Sequence, residues 1–172
     1  LSRLLKSRWK GLNTGPWAAG NHHLAARDQW FAVDWVRVDQ ASRGSRILAP
    51  VDGTVVYVEE GHADKPARRW IQPDLAHPAG NYISLRVAGC AETYLILAHI
   101  QQESIAVRAG QQVRAGDLVG LCGNSGNTSI PHLHIHAQRS ERFAPGASWG
   151  VPAVFSTASL WVRPGSEIDG VA

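Results

Sequence analysis

Gly123-Asn-Ser-Gly-Asn-Thr-Ser-Ile-Pro-His-Leu-His-Ile-His-Ala137 carries two structural signals in succession. Its opening, Gly123 to Thr128, is rich in Gly and Asn, the chemistry of a tight turn able to shape a cleft wall. From Pro131 onward polar and apolar residues alternate, and side chains two apart on a β-strand share a face. A strand here sets His132, His134 and His136 on one side and buries Leu133 and Ile135 behind them.

The same grammar extends outward along the chain. Asp117–Cys122, Glu92–His99, Asn81–Val87 and Trp30–Val38 are apolar, β-branched or aromatic runs that read as strands. Arg46–Pro50 and Gly53–Val58 form two more, with Val51-Asp52-Gly53 as the turn between them. Val107–Gly116 holds two near-copies of Val-Arg-Ala-Gly, whose glycines punctuate short strands. Gly61–Pro78 is charged, contains proline and lacks a period, which predicts a long surface loop of the kind that lines binding grooves. In residues 1–20, Leu1, Leu4, Leu5 and Trp9 suggest a short helical stripe. Gly11, Gly15, Pro16 and Gly20 break anything longer, so this segment reads as an extended or irregular lead-in to a single domain, 21–172. Many short strands and no convincing amphipathic helix predict an all-β, antiparallel sandwich or barrel-like fold with little helix.

Length and composition bound the possibilities. With 172 residues, 44% hydrophobic and 18% charged, the chain is long enough for a real core and is not a disordered tail. No apolar run approaches the roughly 18 residues of a membrane span, so no transmembrane segment is expected. The chain opens Leu-Ser-Arg and contains no methionine, the reading of a mature or trimmed product, and no signal peptide is visible. A net charge of +3 suits polyanionic surroundings, but no Lys/Arg stripe interleaved with aromatics points to nucleic acid. Cys90 and Cys122 lack CxxC spacing and read as two buried free thiols, with a disulfide as the alternative.

Eight histidines are the chemical signal. Imidazole is a common zinc ligand, and two rings on one strand face can supply a ligand and a proton-transfer group together. Surface histidines on an edge strand would give the same local pattern, so the company of other donors matters. Asn21-His22-His23 lies upstream of Asp34, a carboxylate set between Val33 and Trp35. Buried there, it must be paired, hydrogen-bonded or metal-bound. His99 ends the apolar run Tyr94–Ala98.

Together these stretches resemble the lysostaphin-type zinc metallopeptidases, a family of cell-wall endopeptidases. The matching residues are Asn21-His22-His23 with Ala32-Val33-Asp34, Leu97-Ala98-His99-Ile100, and Gly123 to His134. Leu48–Val56 and Ser104–Val113 support them, and the likeness spans about residues 20–137. The resemblance implies a duplicated hybrid motif fold and one Zn2+ per chain held by His23, Asp34 and His134. It implies His99 and His132 as catalytic histidines, either of them the base. His23 and Asp34 are eleven residues apart where the family commonly has four, so His22 stays an alternative to His23 as ligand. His136 falls where relatives often carry an acidic or polar residue; support of the site and a surface role are both open.

The implied activity is hydrolysis of peptidoglycan peptide bonds by zinc-activated water, with Ser125 a turn residue and not a nucleophile. Extracytoplasmic action follows from that substrate, and a monomer is expected. Loop 61–80 and the segment after Ser140 would line the groove, with Trp70, Trp149 and Trp161 as candidate walls or core residues. Two rival readings remain: a non-catalytic cell-wall-binding or hydrolase-regulating module on the same β-scaffold, and a carrier or phosphotransfer domain with a related hybrid-motif barrel. Loss of metal residues would favour the first, and a modifiable Lys or phosphoryl-accepting His the second.

Overall fold

β-Branched and aromatic runs become strands because their side chains pack on a pleated, half-buried surface. In the computed structural model, which describes residues 8–14, 20–67, 73–152 and 167–169, eleven strands are seen. They are β1 (Arg8–Thr14), β2 (Val33–Arg37), β3 (Arg46–Leu48), β4 (Gly53–Glu59), β5 (Asn81–Val87) and β6 (Tyr94–Ile100). Then follow β7 (Gln112–Val113), β8 (Leu118–Leu121), β9 (Leu133–Gln138), β10 (Gly150–Val151) and β11 (Glu167–Asp169). Among the described residues the only helical pieces are two 3-10 turns, His22–Ala25 and Arg27–Gln29. No helix there is long and apolar enough to cross a membrane.

Nine strands form one sheet in the order β11-β1-β2-β9-β6-β5-β4-β7, with β10 also paired to β9; β3 and β8 make a separate ribbon. Every pairing is antiparallel. Alternation then sorts the side chains. Val33 and Trp35 of β2, Leu95 and Leu97 of β6, and Leu133 and Ile135 of β9 enter one core with Ile47, Val55, Ile83 and Leu85. Each such fully buried Leu or Ile contributes about 1.5–3 kcal/mol, and Ile135→Ala would cost about 2–5 kcal/mol. The intervening residues face the other side, where Ile96 and Ala98 join Ala79, Tyr82 and Phe143 in a smaller cluster. Register aligns Asp34 opposite His134, and His134 opposite Ala98, across β2, β9 and β6.

The described part of the lead-in, read as extended or irregular, is an extended strand: β1 pairs with β2 and buries Trp9 completely, because cross-strand partners supply what its mixed Lys, Gly and Asn composition does not. Three expectations change. Trp30 and Phe31 lie in a turn ahead of β2, and only the second Val-Arg-Ala-Gly copy contributes a strand, β7. Cys122 is buried but Cys90 is exposed, in the turn after β5, so the expectation of two buried thiols holds for one; both are free. Leu1, Leu4, Leu5, Trp70 and Trp161 lie outside the described residues.

Candidate metal centre

The centre is assembled on three neighbouring strands and two turns. Asp34 projects from β2, where neighbouring Val33 and Trp35 are committed to the core, and is 2% exposed. His134 projects from β9 beside it, its Nδ1 3.0 Å from Asp34 Oδ1. The 3-10 turn His22–Ala25 is capped by Asn21, whose Oδ1 accepts the His23 backbone N–H at 3.1 Å. That cap turns His23 inward, with Nε2 3.2 Å from Asp34 Oδ1, and leaves His22 largely exposed with Nε2 3.8 Å from Oδ2. His132, just before β9, brings Nε2 to 3.3 Å from Oδ1. Three imidazole nitrogens therefore converge on one carboxylate oxygen. The other, Oδ2, accepts from Asn13 Nδ2 at 2.9 Å.

His99 closes the far wall, its ring centroid 4.7 Å from that of His132 and 5.9 Å from that of His134. Its backbone has φ of 61°, a left-handed conformation costing of order 1–3 kcal/mol in a non-glycine residue. Hydrogen bonds on both sides hold it there: His99 N donates to Ala79 O, and Gly123 N donates to His99 O, each at 3.0 Å. His99 Nδ1 donates to the Ser125 carbonyl at 2.8 Å. Two glycines bring that carbonyl within reach. Gly80 and Gly126 both have positive φ, and a Cβ on either would fall inside 3.0 Å of backbone across the gap. Ser125 Oγ meanwhile accepts from Asn81 N and donates to Ile100 O, the work of a turn residue.

A buried chain of hydrogen bonds backs His134. His134 Nε2 lies 2.9 Å from His136 Nδ1, and His136 Nε2 lies 3.1 Å from Gln138 Oε1. Gln138 Nε2 donates to the carbonyls of Ser140 and Arg142, at 2.7 and 2.9 Å. Carbonyls only accept, so the Gln138 amide is oriented with Oε1 toward His136. His136 must then donate through Nε2 and accept at Nδ1. His134 in turn carries its proton on Nε2 and presents a bare Nδ1 lone pair to the centre. His136 is fully buried, so of the two roles open to it the surface one is excluded.

Electrostatics follow from burial. Burial raises the Asp34 carboxyl, but the surrounding imidazoles, His132 foremost and then His134 and His23, outweigh it and hold it well below the usual carboxylate range. Burial pulls His134 down to about 3 and His136 to about 4, so both rings are neutral at pH 7. Burial first, and then the neighbouring His132 and His134, hold His99 well below the usual imidazole range.

The donor set fits a metal ion on its own evidence. Neither ring nitrogen of buried His23 has a hydrogen-bond partner, a costly state that a bound cation relieves. The donor atoms of His22, His23 and Asp34 lie within 4.8 Å of one another. The separations of His23 Nε2 and His134 Nδ1 from Asp34 Oδ1, 3.2 and 3.0 Å, approach the edge of about 3.3 Å of a tetrahedron with zinc-like arms.

Beside the centre lies a cavity of about 560 Å3, lined by His99, His134, Leu75, Pro78, Phe143 and Pro145 among others. Its walls thus come from the loop Gly61–Pro78 and the segment after Ser140, as the sequence predicts. Trp149 is not among its lining residues; it packs edge-to-face on Trp30 beneath the Arg27 guanidinium. A larger hollow of about 750 Å3, beside Asp52, Arg86 and Arg114, is lined by no histidine.

Residues 36–145 match the model of Peptidase family M23. The chain belongs to that family. The M23 match contains His99, His132 and His134 and begins just after Asp34. A Haemophilus influenzae protein named "Uncharacterized metalloprotease" is 34% identical over 93 residues, 54% of this chain and 16% of that one. The peptidoglycan DD-endopeptidase ShyA of Vibrio cholerae is 39% identical over 59 residues, 34% of this chain and 13% of that one. The chain therefore matches only a small part of these longer relatives. Among solved structures, the catalytic domain of the M23 protein EnpA from Enterococcus faecalis superposes with a TM-score of 0.55 at 18% identity, covering 83% of this chain and 87% of that one. The lysostaphin catalytic domain from Staphylococcus simulans gives 0.53 at 19% identity, covering 84% and 88%. These likenesses establish the M23 fold, mostly β and antiparallel.

Sequence reading missed Asn13, Gln138 and Asp64. Asp64 lies in the loop Gly61–Pro78 and accepts the backbone N–H of Asn124 at 2.5 Å and of Gln102 at 3.3 Å. With Lys65 O accepting from Asn124 Nδ2, it fastens that loop to the turn that carries Ser125. Gln138 had a signal: it continues the period of two that begins at His132.

Proposed function

We propose that this chain is a zinc-dependent endopeptidase that hydrolyses peptide bonds of bacterial peptidoglycan. The observation that carries the reading is the convergence of three imidazoles on Asp34 Oδ1 beside a cleft. His23 Nε2, Asp34 and His134 Nδ1 would hold one zinc ion; two nitrogens and a carboxylate suit zinc better than hard cations. Zinc in such a site supplies Lewis acidity toward a water and a peptide carbonyl.

The chain's own residues do the rest. His99 and His132 each spend the Nδ1 proton on a backbone carbonyl, of Ser125 and of Ile130, both at 2.8 Å. Each ring, when neutral, therefore keeps its lone pair at Nε2, where it can take a proton from a water and return it to the leaving amine. Once protonated, the same Nε2–H donates to a carbonyl oxygen that is gaining charge. Leu75, Pro78, Phe143 and Pro145 supply apolar walls that limit water around the scissile bond.

The name of the Vibrio relative, a peptidoglycan DD-endopeptidase, supports peptidoglycan peptides as the substrate, and action outside the cytoplasm follows from that substrate. Asp34→Ala and His134→Ala should each lose one zinc equivalent relative to the full chain and abolish release of peptides from purified peptidoglycan. Undiminished digestion by either variant would refute the assignment.

A further inference from the structure

Six of the eight histidines belong to the centre described above; the other two, His62 and His77, lie together elsewhere. Strand β4 ends at Glu59, and Gly61, with φ of 96°, turns the chain so that His62 comes back beside it. His62 Nε2 lies 3.0 Å from Glu59 Oε1, and His77 Nδ1 lies 3.1 Å from the same oxygen. The two rings are 4.2 Å apart at their centroids and tilted by 35°. All three donor atoms lie within 4.8 Å of one another.

From this geometry we propose a second cation site, in which Glu59, His62 and His77 bind a divalent transition-metal ion of the zinc class. Four observations support it. The donor set, two imidazoles and one carboxylate, is that of a zinc site with an open fourth position, and it disfavours calcium and magnesium. Both histidine backbones are fixed independently of their rings. Asn81 accepts from His62 N and donates to His62 O, at 2.9 and 2.8 Å. His77 N donates to Asp74 Oδ1 at 2.9 Å, and His77 O accepts from Gly80 N at 3.0 Å. Glu59 is oriented by the Tyr57 hydroxyl, which donates to Oε2 at 3.3 Å and leaves Oε1 to the imidazoles. The side chains are 22–49% exposed, so one side stays open to solvent and ion entry.

The ion would do more than fill a surface cluster. Glu59 ends a strand of the main sheet, while His62 and His77 stand near the two ends of the loop Gly61–Pro78. Leu75 and Pro78 of that loop wall the cleft beside His99 and His134. A bound ion therefore cross-links the cleft wall to β4 and sets how firmly the wall is held.

The test is zinc stoichiometry of the full chain, by titration against a chromophoric chelator, followed by cobalt substitution to record ligand-field bands. Wild type should bind two equivalents and the double variant His62→Ala/His77→Ala one. Asp34→Ala should also bind one, and its cobalt spectrum should differ from that of the double variant. Glu59→Gln should weaken the second equivalent by about tenfold or more, while amide spectra verify that each variant is folded. One equivalent in wild type, lost in Asp34→Ala and kept in the histidine pair variant, would overturn this site and leave the proposed function intact. One equivalent lost only in the histidine pair variant would support this site and overturn the catalytic assignment.

Discussion

His136→Phe tests whether the Gln138–His136 chain governs metal binding at His134. Phenylalanine fills the same buried space beside Phe143, whose ring centroid is 5.4 Å from that of His136, but offers no acceptor. His134 Nε2–H would then be buried without a partner, at a cost of about 1–3 kcal/mol. The ring escapes by moving its proton to Nδ1, where Asp34 Oδ1 accepts it at the observed 3.0 Å. That tautomer cannot bind a cation through Nδ1, so the same 1–3 kcal/mol returns as an affinity loss of roughly 5- to 150-fold. The range agrees with the 10- to 100-fold typical of lost outer-shell partners of metal-bound histidine. His136→Asn is the control, because its Oδ1 stands where His136 carries Nδ1; affinity there should stay within about threefold of wild type. Two measurements decide the matter: zinc affinity by chelator competition, and the His134 tautomer by 15N imidazole spectra of the zinc-free protein. Wild type should show the Nε2–H form. Equal affinities for the Phe variant and wild type, or an Nδ1–H ring in wild type, would refute the reasoning.

Other consequences are simpler to check. Gly126→Ala forces a Cβ into the Gly80 backbone at positive φ, and should cost about 2–4 kcal/mol; a calorimetric midpoint unchanged from wild type would contradict the close approach. Asp64→Ala strips the acceptor from Asn124 N and Gln102 N, so hydrogen exchange at Asn124 should accelerate by at least about tenfold. Unaltered protection there would mean the loop is held by other contacts. Native protein should yield one reactive thiol, exposed Cys90. Cys122, whose thiol burial and then the Asp64 charge push up to about 12, should react only after denaturation; two fast thiols in the native state would sink this.

Much of this was legible where local pattern and tertiary demand agree. Asn81–Val87 is a strand over the same residues as read from sequence, since both neighbours pair with it and both its faces are covered. Asp34 announced itself as a carboxylate that the apolar run around it could not tolerate bare. Illegible parts depend on distant partners. β1 takes its structure from β2, and Asn13 reaches Asp34 only through that pairing. Asp64 looked like one more loop charge because its acceptor role rests on amides at positions 102 and 124. For His136, one residue's periodicity could not tell an edge strand from the interior one that β9 proves to be, with β2 and β10 on one side and β6 on the other.

The pairing of Asp34 with His134 spans 100 residues of chain, and this separation has a bearing on when the centre exists at all. During synthesis the first carboxylate ligand emerges long before its imidazole partner, and closing so long a span is among the slow, late events of β-sheet assembly. Until β9 has docked between β2 and β6, the histidines are separate weak ligands with no shared geometry. Cation capture then rewards only the finished sheet, because binding free energy accrues to the state that holds the complete donor set. On the proposed assignment, a centre built this way stays inert in partly folded chains and is complete only once β9 is in place.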